Sequence, residues 1–156
     1  MKEVVKLMDY RPDIKIVDAT LRDGGLVNNF RFTDEFVKDL YQTNIKAGVD
    51  VMEFGYKADK EMFDVKDFGK WKFCDDEDIR AVVGDNNTDL KIAVMADVGR
   101  CNYKQDIKPR AESPVDVIRV ATYINQIPAA VDVIEDAVAK GYEVTCNICL
   151  LYTSDA

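Results

Sequence analysis

Five short apolar runs rich in β-branched residues, helical stretches between several of them, and a first run ending in Arg22 and Asp23 without a phosphate loop predict a parallel α/β fold, the N-terminal half of a (β/α)8 TIM barrel. The runs are Ile14–Thr20, Val49–Tyr56, Leu90–Val98, Val117–Thr122 and Tyr142–Ile148. Each is nearly continuous in apolar residues, as expected of strands covered on both faces. A doubly wound dinucleotide fold would place Gly-x-Gly-x-x-Gly after the first run, where this chain reads Leu21-Arg22-Asp23-Gly24-Gly25-Leu26. A barrel instead gathers its chemistry at the C-terminal ends of its strands, which is where Arg22 and Asp23 are expected. A whole barrel takes about 250 residues, so this chain holds about four and a half of eight units.

The connecting elements follow in order. Thr33 is placed to cap a helix to Ala47, with Asp34 and Glu35 in its first turn, Phe36, Val37, Leu40, Tyr41 and Ile45 on one face, and Gly48 as its stop. Lys57 to Asp75 reads as a long ordered loop. Its aromatic residues Phe63, Phe68, Trp71 and Phe73 suit either a lid over a site or anchors to the barrel. The acidic run Asp75 to Asp78 opens a short helix from Asp76 to Val83. Gly99 to Asp116, with Pro109 and Pro114, shows no helical period and is expected to be irregular. A last helix starts at Pro128, is expected to bury Val131, Ile134 and Val138, and stops at Gly141.

Composition narrows the function classes. Lys and Arg number 21 against 29 Asp and Glu, a formal charge of −8, which argues against a nucleic-acid partner. Hydrophobic residues make up 47% and charged residues 32%, a globular balance rather than a disordered one. No apolar run reaches the roughly 20 residues of a membrane helix, and residues 1–13 lack the apolar core of a secretory signal. A cytoplasmic protein with no membrane partner and with its four cysteines reduced is the expectation.

The stretch Asp18-Ala19-Thr20-Leu21-Arg22-Asp23-Gly24-Gly25 carries most of the chemical signal. A guanidinium fork beside a carboxylate, followed by two glycines that let backbone approach closely, can bind a carboxylate and a divalent metal together. An internal Arg–Asp ion pair capping the strand is the structural alternative. The stretch resembles the signature of the DRE-TIM metallolyases, a family of pyruvate carboxyltransferase-type, HMG-CoA lyase-like barrels. Val51-Met52-Glu53-Phe54-Gly55 resembles that family's second strand, and Ile118-Arg119-Val120-Ala121-Thr122 the fourth strand of its 4-hydroxy-2-oxovalerate aldolases.

The resemblance implies a lyase or aldolase that works on a 2-oxo acid through a pyruvate-type enolate. In it Asp23 would ligate Mg²⁺ or Mn²⁺ and Arg22 would stabilise charge on the keto oxygen. A Claisen synthase joining acetyl-CoA to a 2-oxo acid is the alternative within the family, and a non-catalytic fragment or interaction module the alternative outside it. Glu53, Arg119, Thr122 and Asn147, near strand ends, are candidate substrate-binding residues. Glu53 suits a structural hydrogen bond equally, and Arg119 either a charge contact inside the barrel or a carboxylate anchor. Two departures stand out. The family's two metal-binding histidines and its histidine base, three residues beyond the metal Asp, have no counterpart here, because the chain has no histidine and carries Leu26 at the base position. Asn28 and Asn29 cannot replace that base, since an amide does not titrate usefully.

Cys146-x-x-Cys149 would suggest a redox or zinc pair in another context. The residues from Cys149 to Ala156 look instead like the translation of a sequencing adapter, so residues 1–148 are expected to form the partial barrel domain and 149–156 a non-native tail. The full-length parent is expected to act on a small 2-oxo acid, with a homo-oligomer compatible with the family. This chain alone is expected to be inactive.

Overall fold

The computed structural model describes residues 13–150. Five strands, β1 (Val17–Asp18), β2 (Val51–Tyr56), β3 (Lys91–Asp97), β4 (Val117–Tyr123) and β5 (Glu143–Cys149), form one curled sheet in the order β1-β2-β3-β4-β5. All four pairings are parallel. Chain order and sheet order agree throughout, so the sheet is wound in one direction, as in a barrel, with no reversal of the kind that defines a doubly wound fold. The architecture is α/β and matches a partial TIM barrel.

The helices are α1 (Thr20–Asn28), α2 (Asp34–Ala47), α3 (Asp76–Val83), α4 (Tyr103–Asp106) and α5 (Ile127–Ala139). Thr33 caps α2 as its sequence requires, its Oγ1 accepting the Phe36 N–H at 3.2 Å, and Gly48 ends it at φ 72°. The helix-side face of the sheet carries the core. Met52 and Phe54 of β2, Ile92 and Val94 of β3, and Ile118 and Val120 of β4 pack there with Val37, Tyr41, Trp71 and Ile79. Burying each large apolar side chain contributes roughly 1.5–3 kcal/mol.

Three expectations need correction. The first strand is two residues long, not seven, because only Val17 and Asp18 pair with β2 and the chain turns into α1 at Thr20. Arg22 and Asp23 consequently lie in the first turns of α1, a helix that the glycine pair Gly24-Gly25 concealed. In α5 the buried face is Ala130, Val133 and Ala137, while Val131 and Val138 are exposed. Small residues face the sheet there because backbone and sheet pack closely. In α2, likewise, Phe36 is exposed and Asn44 is buried. Asn44 is held by its Nδ2, which donates to Asp18 Oδ2 at 2.8 Å. The segment 99–116 is irregular as expected, apart from the single-turn α4 and a 3-10 turn at Arg110–Glu112. Among the described residues no helix is long and apolar enough to cross a membrane. The proposed tail lies outside the described residues except for Cys149, which ends β5, and Leu150.

Candidate active site

Alternation along the strands sets which residues meet at the site. Ala93, Met95 and Asp97 of β3 share one face, opposite Ile92, Val94 and Ala96, and register places Glu53 beside Ala93 and Arg119 beside Met95. Glu53 and Arg119 therefore project from the concave face, away from the helices. In β2 the register shifts between Glu53 and Tyr56, so that Tyr56 pairs with Met95. One extra residue in a strand reverses the facing of the residues beyond it, and Tyr56 joins Glu53 on the concave side at the C-terminal rim.

Glu53 is fully buried and is the hub of the site. Its Oε2 accepts from Arg22 Nε at 2.8 Å and from Arg119 Nη1 at 2.6 Å. Arg22 Nη1 also donates to Asp23 Oδ1, and Arg119 Nη2 donates to Asn147 Oδ1 at 3.3 Å. Two guanidiniums thus share one buried carboxylate, an arrangement with a net positive charge before Asp23 is counted. Burial opposes the charge on Arg22, but the hydrogen bond and charge of Glu53 together with the charge of Asp23 hold its pKa above the ordinary arginine value. Burial pushes the Tyr56 phenol up against the pull of the Arg22 charge. Glu53 Oε1 is buried without a hydrogen-bond partner, an acceptor left over after both arginines are satisfied.

The turn that delivers Arg22 is built by Asp18. Its Oδ1 accepts the Thr20 N–H at 3.2 Å and the Thr20 hydroxyl at 2.5 Å, turning the chain from β1 directly into α1. At Gly25 a Cβ would lie 2.1 Å from the Phe30 ring, so the second glycine of the motif serves packing of the helix end.

Of the six sequence-predicted residues, the fold brings together Arg22, Asp23, Glu53, Arg119 and Asn147. Thr122 stands apart. It has the opposite facing to Arg119 on β4, is buried, and donates from its hydroxyl to the Tyr123 carbonyl at 3.1 Å. Tyr56, Lys72 and Asp97, which also reach this rim, escape a reading of the sequence. Gly55 inside an apolar strand was the available signal for the irregularity that redirects Tyr56. Lys72 belongs to a loop whose path no period reveals.

The donor set is thin for a hard cation. The Asp23 carboxyl is exposed, one of its oxygens is held by Arg22, and Glu53 is committed to two guanidiniums. Among the described residues no group of three His, Cys, Asp or Glu could hold an ion. These residues do not by themselves fit Mg²⁺ or Mn²⁺, which demand about six oxygen ligands, some of them water.

Against this geometry, the likeness to known proteins is informative. The chain is 29% identical over 143 residues to 4-hydroxy-2-oxovalerate aldolase 6 of Rhodococcus jostii (strain RHA1), a match covering 92% of this chain and 39% of that protein. It is 27% identical over 143 residues to 4-hydroxy-2-oxovalerate aldolase of Pelotomaculum thermopropionicum, covering 91% of this chain and 41% of the relative. Both relatives are named as aldolases. The chain spans about two fifths of the length of these curated relatives. No family model matches it.

Proposed function

We propose that this chain is the N-terminal part of a carbon–carbon lyase, an aldolase that cleaves a 2-oxo acid through a pyruvate-type enolate. One observation carries the reading: the Arg22 guanidinium is fixed at the strand-end rim between the buried Glu53 and Asp23. The two aldolase-named relatives support it.

The chemistry follows from that placement. Arg22 engages carboxylates through Nε and Nη1 and lies within hydrogen-bond reach of the Tyr56 phenol, so a substrate oxygen would meet the rest of the fork beside that phenol. When the bond beyond the 2-oxo group breaks, negative charge moves onto the keto oxygen. A guanidinium held there binds that charge more strongly in the transition state than in the ground state, which is what lowers the barrier. Glu53 fixes the fork's plane, and Arg119, bound to the same oxygen, orients Glu53. Asn147 steadies Arg119 from β5. Asp23 would supply one carboxylate oxygen to a Mg²⁺ or Mn²⁺ ion, whose remaining ligands the described residues do not provide. Leu26, exposed on α1, holds no titratable proton, so the family's histidine base has no substitute at that position. Turnover by the 156-residue chain alone is therefore not expected.

Retro-aldol assays with pyruvate detection, run beside thiol release from acetyl-CoA on the longest open reading frame that contains this chain, test the proposal. Pyruvate release supports it. Thiol release without pyruvate would replace it with a Claisen synthase, and neither activity across a panel of 4-hydroxy-2-oxo acids would reject both.

A further inference from the structure

Asp97 ends β3 on the concave face, one row nearer the C-terminal rim than Arg119. Register sets that row: Met95 lies beside both Tyr56 and Arg119, and Asp97 lies beside Ala121, which in turn lies beside Asn147. The backbone there is pinned. The Val98 N–H donates to Ala121 O at 2.9 Å, and the Arg100 N–H donates to Asp97 O at 2.9 Å across a turn in which Gly99 takes φ 77°. An acid is thus held in the layer where a barrel carries its chemistry.

The other polar groups at this rim are committed or keep their protons. Asp23 and Glu53 hold guanidiniums. The Tyr56 phenol, pushed up by burial, stays protonated at neutral pH. The Lys72 ammonium is covered by the ring faces of Phe30, Tyr56, Phe63 and Phe68. Asp97 is different. Its one ion pair among the described residues is with the exposed Arg100 at 3.7 Å, beyond hydrogen-bond length. Its side chain is 27% exposed, where that of Glu53 is sealed, which leaves the carboxylate reachable from the concave side. Burial raises its pKa above the ordinary carboxylate value, against the pull of Arg100 and then of Lys72. The Tyr56 phenol feels the charges of both Arg22 and Asp97, so the three groups share one neighbourhood.

We propose that Asp97 is the proton-transfer residue of the cleavage reaction, the base that takes the proton of the substrate hydroxyl and returns it to the enolate carbon. This role rests on the aldolase reading. The carboxylate removes the proton from the C4 hydroxyl of a 4-hydroxy-2-oxo acid, and the O–H electron pair forms the C4 carbonyl. The C3–C4 bond breaks, and its pair becomes the C2–C3 double bond as charge settles on the keto oxygen at Arg22. Asp97 then gives the same proton to C3, which makes the methyl group of pyruvate and restores the carboxylate. A carboxyl whose pKa is raised toward the working pH both accepts and returns a proton efficiently.

Steady-state kinetics on the longest open reading frame that contains this chain test the role, together with exchange of pyruvate methyl protons into heavy water followed by NMR. Asp97→Asn should lower kcat about 10²-fold or more with little change in KM and an unchanged circular dichroism spectrum, and should slow the methyl exchange in parallel. It should also remove the acidic limb of the kcat/KM profile, which in the wild type falls as the pH drops through the Asp97 pKa because a protonated carboxyl cannot accept the hydroxyl proton. Asp97→Glu, which keeps the carboxylate, should retain that limb and part of the rate. An acid that only balances Arg100 and Lys72 would leave the limb in place in the Asn variant, and that result, or a loss of rate below about threefold, overturns the role. Pyruvate release by the wild type and the Asn variant alike rejects Asp97 alone, whereas no release by the wild type rejects the aldolase reading and this role with it.

Discussion

Arg22 and Glu53 show how much a single side chain can depend on a distant partner. The local sequence places Arg22 next to Asp23, yet the contact that fixes its plane comes from Glu53, 31 positions away. In the full reading frame, Arg22→Lys should lower the rate of pyruvate release by about 10²-fold or more, because an ammonium keeps the charge but loses the planar fork. Steady-state kinetics with an unchanged circular dichroism spectrum would check this, and an unaltered rate would remove Arg22 from the chemistry. Glu53→Gln should destabilise the fold by about 3 kcal/mol, since it leaves two guanidiniums facing each other around a neutral amide. Urea unfolding of the same protein measures it, and a loss near zero would show that the pair is not coupled to folding. The Arg22, Asp23 and Glu53 candidates were legible in sequence because they fall in one short motif and at a strand end. Their mutual contact was not, since pairing across the sheet depends on register. The facing of Thr122 was illegible for the same reason: strand parity decides facing, and no residue type reveals it.

Two elements carry the site's geometry, the shifted segment of β2 and the turn bearing Lys72. They meet at Gly55, where a Cβ would lie 1.9 Å from the Trp71 carbonyl oxygen. That obstacle is backbone and cannot rotate away. Gly55→Ala should therefore displace the Lys70–Lys72 turn, costing about 2 kcal/mol and making Trp71 fluorescence report a wetter environment. An unshifted emission spectrum with unchanged stability would contradict the packing described. The edge strand β1 is held by a different device. Asp50 Oδ2 accepts the Ile16 N–H at 2.9 Å, and its Oδ1 accepts from Lys15 at 2.9 Å. The backbone hydrogen bond first, and then Lys15, lower the Asp50 pKa below the ordinary carboxylate value. A carboxylate depressed on folding contributes stability above its unfolded pKa, and that contribution is lost as the pH falls through the folded value. Amide exchange at Val51, whose N–H donates to Ile16 O at 3.1 Å, should thus accelerate specifically below about pH 4, relative to that of Ile92 in the central strand. Equal pH dependence at both amides would count against the clamp.

For the whole molecule, the open sheet is the governing fact. Among the described residues β1 pairs only with β2 and β5 only with β4, which leaves one edge of each without a partner strand. The concave face is also uncovered: a broad cavity there is lined by Val17, Val51, Val117, Arg119 and Thr145. Unpaired edges and apolar surface drive association. Expressed by itself, the 156-residue chain should self-associate, with sedimentation velocity showing a mass that grows with concentration. A single monomeric species throughout that unfolds cooperatively would overturn this expectation.

The amino-acid sequence by itself determined the α/β class, the parallel order, the limits of α2 and α3, and the candidacy of Arg22 and Asp23. Each of these is written in local periodicity, caps or contiguous motifs, which act over a few residues. Only the tertiary structure decided that α1 begins at Thr20, that Glu53 binds both arginines, that Tyr56 turns inward, and that four rings enclose Lys72. Those features are contacts between segments brought together by sheet register and loop docking, and register is set by the packing of the whole sheet, not by the order of residues within any one strand.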